Sequence, residues 1–389
     1  RGYGGPGDER GAAIASDAAG NLYVTGAFEG TVDFGAGPLT SAGQEDVFLL
    51  KLDPSGTLLW SRSFGSVSRE WGDAVTVDGS GNIFLAGGYN GGLGAPTVDF
   101  GGGPLENFDF SRALFVVKLD ADGEHVWSRG PLATPMWAQL GEMATDQLAV
   151  DALGDVYAVL YNRHDDDPRT SLIKLDAAGA VLWNQPIPGQ GIFDSGGSLA
   201  LDGAGNVVTT RESILGNPLC PCAMRLAVSK FTPAGDVLWS RLIGSELSPW
   251  DGIGATARAV AVDAADEILV TGSIHGSLDL GGGALPAGPF LLKLDQDGEH
   301  LFSRSVPFAH KIAVDPAGGI LVAGNGLAGL DAAGAVLWTR PLGAPVSALI
   351  SSPLGAIAIT GAATAPLDFG AGPLAHAGGS DAFAATFNP

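Results

Sequence analysis

The chain has 389 residues, 60 of them Gly, with 46% apolar and only 16% charged residues, and 20 Lys+Arg against 42 Asp+Glu leave a net charge of -22. No apolar run reaches the ~18–20 residues of a membrane span, Gly does not fall at every third position as a collagen requires, and the apolar share supports a packed core rather than disorder. So acidic a chain repels phosphate backbones and anionic bilayers, which argues against nucleic acid and a membrane surface as partners. The acidity suits cations such as Ca2+, although solubility alone accounts for it.

The chain opens at Arg1, without an initiator Met or an apolar leader, and so reads as mature or trimmed. From there one unit recurs around an Asp-x-x-Gly turn flanked by apolar alternation. Its first half is AAIASDAAGNLYVTG at residues 12–26. It returns at 74–87, 148–160, 199–210, 259–272, 312–324 and 348–361. Its second half is FLLKLDPSGTLLWSR at 48–62, which returns at 115–129, 172–185, 228–241, 290–304 and 327–340. A seventh second half, DAFAATFNP at 381–389, stops after one strand.

Each half-unit predicts a hairpin of short strands with period-2 alternation. Asp opens the turn because its carboxylate can accept backbone N–H groups further on, and Gly closes it where φ is positive. Two hairpins make four strands, a to d, and seven such sheets without helices predict an all-β, seven-bladed β-propeller. The blades run approximately over 12–63, 74–130, 147–185, 198–242, 258–305, 311–340 and 347–389 plus 1–4, as a single domain. Trp60, Trp127, Trp183, Trp239 and Trp338, with Phe302 standing in once, hold one place in strand d and are expected to pack blade on blade. Arg1-Gly2-Tyr3-Gly4 aligns with Arg62-Ser63-Phe64-Gly65, so the N-terminal segment is expected to supply strand d of blade seven and close the ring.

The pattern of Gly5 to Gly11, then Ile14 to Gly26, then D-x-F-x-x-K-L-D-x-x-G-x-x-x-W, resembles the bacterial SBBP β-propeller repeat over essentially the whole chain. It resembles especially the forms found in secreted or lipid-anchored surface proteins, which also carry D-F-G-x-G-P-L, here Asp33 to Leu39, Asp99 to Leu105 and Asp368 to Leu374, with a variant at Asp279 to Leu285. The resemblance implies seven blades and an extracellular or cell-envelope setting, and no reaction.

In propellers the b–c and d–a loops share one side, and here they carry every long insertion, which makes that side the candidate binding face. The b–c insertions of blades one, two, four, five and seven are long, and blade six has only Asn325-Gly326-Leu327, so a cleft or sloping groove is expected. Trp71, Trp137 and Trp250 lie in d–a connections, as exposed anchors for a sugar or protein or as plugs between blades. His164 and Asp166, in His-Asp-Asp-Asp, are a candidate metal-binding loop or a solvated one. Cys220 and Cys222, as Cys-Pro-Cys, are a tight disulfide, a redox pair or two free thiols. No nucleophile elbow, zinc-protease motif or kinase motif occurs, and D-F-G reads as a repeated loop with its Phe tucked beneath.

The reading that follows is a non-enzymatic secreted or surface module that binds an extracellular protein or glycan, or assembles with its own copies, with no cofactor required. The alternative is a propeller lyase or hydrolase with an axial site, or a quinoprotein. K-L-D-x-x-G-x-x-x-W is similar to the tryptophan-docking motif of quinoprotein dehydrogenases, from which this chain departs in blade number and in its Cys-Pro-Cys.

Overall fold

The computed structural model describes residues 1–91, 97–107, 112–130, 143–144, 147–162, 170–188, 197–214, 224–244, 253–370, 372–374 and 376–387. All regular structure among them is β. Seven antiparallel sheets follow one another in the order a-b-c-d, the arrangement of a seven-bladed β-propeller. Blade one is Glu9–Ser16, Leu22–Asp33, Pro38–Leu52 and Leu58–Phe64; blade two is Glu70–Val77, Ile83–Asn90, Arg112–Leu119 and His125–Arg129. Blade three has Leu148–Val150, Val156–Asn162, Thr170–Leu175 and Val181–Pro186, and Met143–Ala144 also joins its sheet. Blade four is Gly197–Leu201, Val207–Ile214, Met224–Phe231 and Val237–Ile243. Blade five is Gly254–Val262, Ile268–His275, Gly288–Leu294 and His300–Ser305, and blade six is Lys311–Val314, Ile320–Ala323, Gly326–Leu330 and Val336–Pro341. Blade seven takes Val346–Ser351, Ile357–Ala363 and Asp381–Phe387 from the end of the chain and Gly2–Tyr3 from its beginning. Gly2 pairs with Phe383 and Tyr3 with Ala382, as Ser63 pairs with Phe48 and Phe64 with Val47 in blade one, so the sequence alignment of the two segments holds.

The chain divides into two compact units, residues 1–155, 177–180 and 341–389, and residues 156–176 and 181–340. Within each, the apolar clusters lie between consecutive sheets. In the first unit, Tyr23, Leu49, Leu85 and Phe115 share one core between blades one and two. Ile14, Phe28, Phe48, Ala358 and Ala382 share another between blades seven and one. In the second unit, Val228, Val270 and Phe290 join blades four and five, and Leu269, Leu291 and Val322 join blades five and six. A sheet of alternating residues has two apolar faces and can cover them only with its neighbours.

The Asp-x-x-Gly turns work as their chemistry requires. At Asp17 the carboxylate accepts the N–H groups of Ala19 (3.0 Å) and Asn21 (2.9 Å), and Gly20 takes φ 81°. Thr232 and Ser352 replace Asp with a hydroxyl that accepts the N–H four residues on. Asp266 stands where the other turns have Gly, at φ 60°.

The c–d turns of blades two to six are docking points for the blade before them. Trp239 Nε1 and Lys230 Nζ both donate to Gln296 O (3.1 Å each), and Gly298 lies against the Trp239 ring. Trp183 Nε1 (3.2 Å) and Lys174 Nζ (3.3 Å) do the same at Pro233 O, with Gly235 on the ring. In the first unit, Trp127 Nε1 donates to Ala177 O (3.0 Å) and Lys51 Nζ to Ala121 O (3.0 Å). The Arg two residues after the Trp adds a clasp, Arg129 donating to Gly179 O and Ala178 O. The Lys is buried, paired in blade four with Asp202 (2.9 Å) and in blade five with Asp263 (2.8 Å), so its ammonium is neutralised within its own blade. Burial alone would raise the Asp202 and Asp263 carboxyls, but the hydrogen bonds that they accept, from Asn206 and Lys230 and from Lys293 respectively, bring both below the usual carboxylate range.

Where they are described, the long b–c insertions of blades one, two, five and seven form hairpin arms rather than open loops, and the tips of the first three lie against strand d; the long insertion of blade four lies outside the described residues. Blade one extends its ladder through Thr31–Thr40 to Asp33–Pro38; blade five forms the pair Leu278–Asp279 and Ala284–Leu285; Asp99–Pro104 and Asp368–Pro373 close the other two. At each tip one Asp carboxylate oxygen accepts two glycine N–H groups, Asp33 from Gly35 (2.7 Å) and Gly37 (3.0 Å), and both glycines have positive φ. The residue after the Asp wedges into the seam: Phe34 meets Tyr3 (5.5 Å) and Phe48 (4.8 Å), and Phe100 meets Phe64 (5.1 Å) and Phe115 (4.6 Å). Gly35 sits by Leu58, Gly101 by His125 and Gly281 by His300, each the first residue of strand d. The corresponding residues of blades three, four and six, Val181, Val237 and Val336, are exposed.

Two measurements of denaturant midpoint test these contacts. Trp239→Phe keeps a ring over Gly298 and removes the Nε1–H donor, with an expected loss of about 1 kcal/mol, whereas Phe34→Ala opens a buried cavity and is expected to lose about 3–4 kcal/mol.

Candidate functional site

On the b–c and d–a side of the first unit, strands a and c carry acids. Strand a of blades one and two starts with Glu9 and Glu70, strand c of blade seven starts with Asp381, and strand c of blade one has Asp46 where the arm passes into the blade, paired with Phe28. All four are buried, Glu9 and Glu70 completely. They are tied to backbone four residues upstream. Glu9 accepts the Gly5 N–H (2.8 Å), Asp46 that of Ala42 (2.9 Å) and Asp381 that of Ala377 (2.9 Å). Glu70 accepts both the N–H (2.8 Å) and the hydroxyl (2.6 Å) of Ser66. Burial pushes the Glu70 and Asp46 carboxyls up. It pushes Glu9 up to about 7, opposed by the Gly5 N–H and assisted by the negative charge of Asp381 and Asp8.

The acids meet in pairs at two seams. Asp46 raises Glu70 at the seam of blades one and two, as Asp381 raises Glu9 at the seam of blades seven and one. The residues after the glutamates complete each seam: an added Cβ at Gly11 would lie 2.0 Å from Thr360 Oγ1, and one at Gly72 would lie 2.3 Å from Thr25 Oγ1. Those threonines donate to Phe383 O and Phe48 O (2.7 Å each).

Beside the Glu70–Asp46 pair lies a charged aromatic cluster. Trp71 is 7% exposed, and its Nε1 donates to Asp73 Oδ2 at 2.8 Å. The guanidinium of Arg112 stands 4.9 Å from the indole centroid and that of Arg69 6.0 Å, and Arg69 forms a two-point pair with Glu45 (2.9 and 2.7 Å). Arg69 and Glu45 reach solvent while Trp71 lies beneath them. Within the cluster Glu45 is paired with the Arg69 guanidinium and Asp73 accepts the indole N–H.

Of the candidates read from the sequence, Trp71 is described, and it is not an exposed anchor in a connection. It belongs to strand a of blade two, where Gly88 leaves room for its ring: an added Cβ there would lie 2.1 Å from Cζ2. Trp137, Trp250, His164, Asp166, Cys220 and Cys222 lie outside the described residues. Among the described residues no group of three or more His, Cys, Asp or Glu is placed to hold a metal, and no helix is long and apolar enough to cross a membrane. The four buried acids went unassigned in the sequence, although Asp-Glu-Arg-Gly and Arg-Glu-Trp-Gly, and Asp-x-Phe before strand c, mark their positions.

No protein-family model matches the chain, and no curated protein matches it. Solved structures do share its fold. Puromycin hydrolase matches with a TM-score of 0.55 at 15% identity over 92% of this chain and 51% of that one. The polysaccharide lyase Uly1 matches with a TM-score of 0.54 at 11% identity over 97% and 90%, and a PL25 ulvan lyase with 0.51 at 11% over 93% and 93%. The chain thus spans about half the length of puromycin hydrolase. At these identities the likeness is one of fold.

Trp71→Ala tests the placement of the indole. Removing a buried ring that carries a hydrogen bond and two guanidinium contacts is expected to lower stability by about 3 kcal/mol, read as a shifted unfolding midpoint.

Proposed function

We propose that this chain is a non-enzymatic propeller module, of SBBP repeat type, that acts outside the cell or at its envelope by binding an extracellular protein or glycan, or by assembling with its own copies. The observation that carries this reading is the use made of the acids on the b–c and d–a side. Glu9, Asp46, Glu70 and Asp381 hold loop backbone, and the tip acids of the arms each accept two glycine N–H groups. Groups so engaged make a rigid scaffold, and a rigid scaffold presenting Arg69, Glu45 and Arg112 over Trp71 favours recognition with little ordering cost. No cofactor is invoked; Ca2+ fits the acidity of the chain.

A propeller enzyme is the second reading, favoured by one observation: Glu9 is held near neutrality beside Asp381, and two carboxyls in unlike environments can divide acid and base roles. The solved structures that share the fold include a hydrolase and polysaccharide lyases.

One experiment separates the two. The protein is screened on immobilised glycans and surface-protein extracts, and in parallel for release of product from polysaccharides and peptide amides. Saturable binding without turnover, weakened by Arg69→Ala with the fold intact, is the expected result. Turnover abolished by Glu9→Gln and by Asp381→Asn, with unchanged circular dichroism, would replace the binding reading by the enzymatic one.

A further inference from the structure

Strand a carries a bulge in blades one, two, five and seven, and one residue of each strand stands outside the ladder there. It is Ala12 in blade one, Asp73 in blade two, Arg258 in blade five and Ser347 in blade seven. In blade six the same place, just before strand a, belongs to His310, whose N–H donates to Ala323 O (2.8 Å). The repeat asks for no cation at this position, yet two successive blades of the second unit supply one. Both side chains are exposed.

The fold does not use these two as it uses the repeated basic residues beside them. Lys293 is buried against Asp263 and Glu267, and Arg304 donates to Ala333 O (2.8 Å). Among the described residues, no acid is paired with Arg258 or with the His310 ring. The described acids of blades five and six lie in the a–b and c–d turns and, as Asp279, at the arm tip, so the b–c end of strand a has none. Blade six also has no arm to cover this end. Gly324 N donates to Gly326 O (2.9 Å) and closes a short turn, and an added Cβ at Gly324 would lie 3.8 Å from His310 Cγ.

The charges around His310 are all of one sign. Its burial, then the positive charge of Arg258 on strand a of blade five and of Lys311 beside it, hold the imidazole below its ordinary pKa of 6.5. Its other neighbours, Phe308 of its own segment and Ala323 and Gly324 of strand b, carry no charge. Like charges held together without an acid repel, and an anion bound between them offsets the repulsion. A guanidinium meets a carboxylate in two parallel hydrogen bonds, and an imidazolium donates another. The ligand's own charge is bounded, because a chain of net charge -22 repels a polyanion far more than a single carboxylate.

We propose that Arg258 and His310 form a carboxylate-binding site that takes the acid group of a uronic-acid sugar. The sugar rests on the reading of the chain as a glycan-binding module, and the anion site on the two side chains themselves. Proton and anion assist each other here. The anion raises the His310 pKa, so binding is tightest below the value of the unliganded protein and falls as pH rises through the value of the complex.

The test is a pH titration of the histidine imidazoles by NMR on the full chain, in sodium glucuronate and in sodium chloride of equal ionic strength, with His310→Gln identifying the signal. Glucuronate is expected to raise the His310 midpoint by about one pH unit, which by linkage is about tenfold tighter binding to the protonated site. His275, exposed at the end of strand b in blade five, should keep its midpoint, and glucose should move neither. Arg258→Gln, with its amide spectrum intact, should weaken binding about tenfold and remove most of the rise, whereas Arg69→Ala should leave both in place. A His310 midpoint no higher in glucuronate than in chloride, or a full rise kept by Arg258→Gln, would overturn the site. An equal rise in acetate at the same concentration would show an adventitious ion only and overturn the sugar. Capture on immobilised glycans without the His310 shift would sink this site and leave the binding module standing.

Discussion

A backbone carbonyl oxygen in the c–d turns of blades two to six receives the blade before it, and much of the repeat depends on that contact. In blades four and five it takes both the indole N–H and the lysine ammonium of the preceding blade, while the turn glycine offers a flat surface to the indole. The turn must expose that oxygen and keep its glycine bare, so the Asp-x-x-Gly sequence serves two blades at once. It closes its own hairpin through the carboxylate and receives its neighbour through the backbone. The lysine can be buried because its charge is met by the a–b turn acid of its own blade. The regularity of the repeat follows: Trp, Lys, Asp and Gly are four parts of one contact, and altering one leaves a buried polar group of another without its partner.

The arms obey a second rule, written across blade boundaries. Each arm-bearing blade is preceded by a large apolar residue and Gly at the end of the previous strand d: Tyr3-Gly4 before blade one, Phe64-Gly65 before blade two, Ile243-Gly244 before blade five, Leu342-Gly343 before blade seven. Where Pro takes a place in this pair, at Pro131, Pro188 and Pro307, the next blade has no Asp-Phe-Gly-type tip. The structure supplies the reason at the described seams. The apolar side chain is the floor on which the arm residue rests, as Tyr3 is for Phe34 and Phe64 for Phe100, and the glycine leaves room, for the Asp46 carboxyl at Gly65 and for Leu278 at Gly244. At blade six, without an arm, Phe308 from the preceding connection packs against Gly326.

Blade number, strand order, turn chemistry and the supply of the closing strand by Gly2–Tyr3 were all legible in the sequence, because each rests on local spacing repeated many times. The direction of the b–c insertions was not. Length and glycine content read as a loop on the binding face, whereas Phe34 is folded down by its contacts with Tyr3, in strand d of the neighbouring blade seven, and with Phe48. Trp71 was misplaced for a similar reason. Strand a begins some four residues before its apolar alternation becomes regular, since a bulge between Gly72 and Ala74 breaks the period. The buried acids were invisible as a site because Glu70 and Asp46 lie 24 residues apart, and Glu9 and Asp381 near opposite ends of the chain.

The two seams also show why a repeat does not give every copy the same chemistry. A hydroxyl at position 5 would satisfy Glu9 as Ser66 satisfies Glu70, yet a Cβ there would stand 2.5 Å from Thr31 O, in the arm of blade one. The arm that strengthens this seam through Phe34 thus bars the side chain that would have satisfied its acid. The unsatisfied carboxyl is a consequence of packing, and it falls where the chain's beginning meets its end.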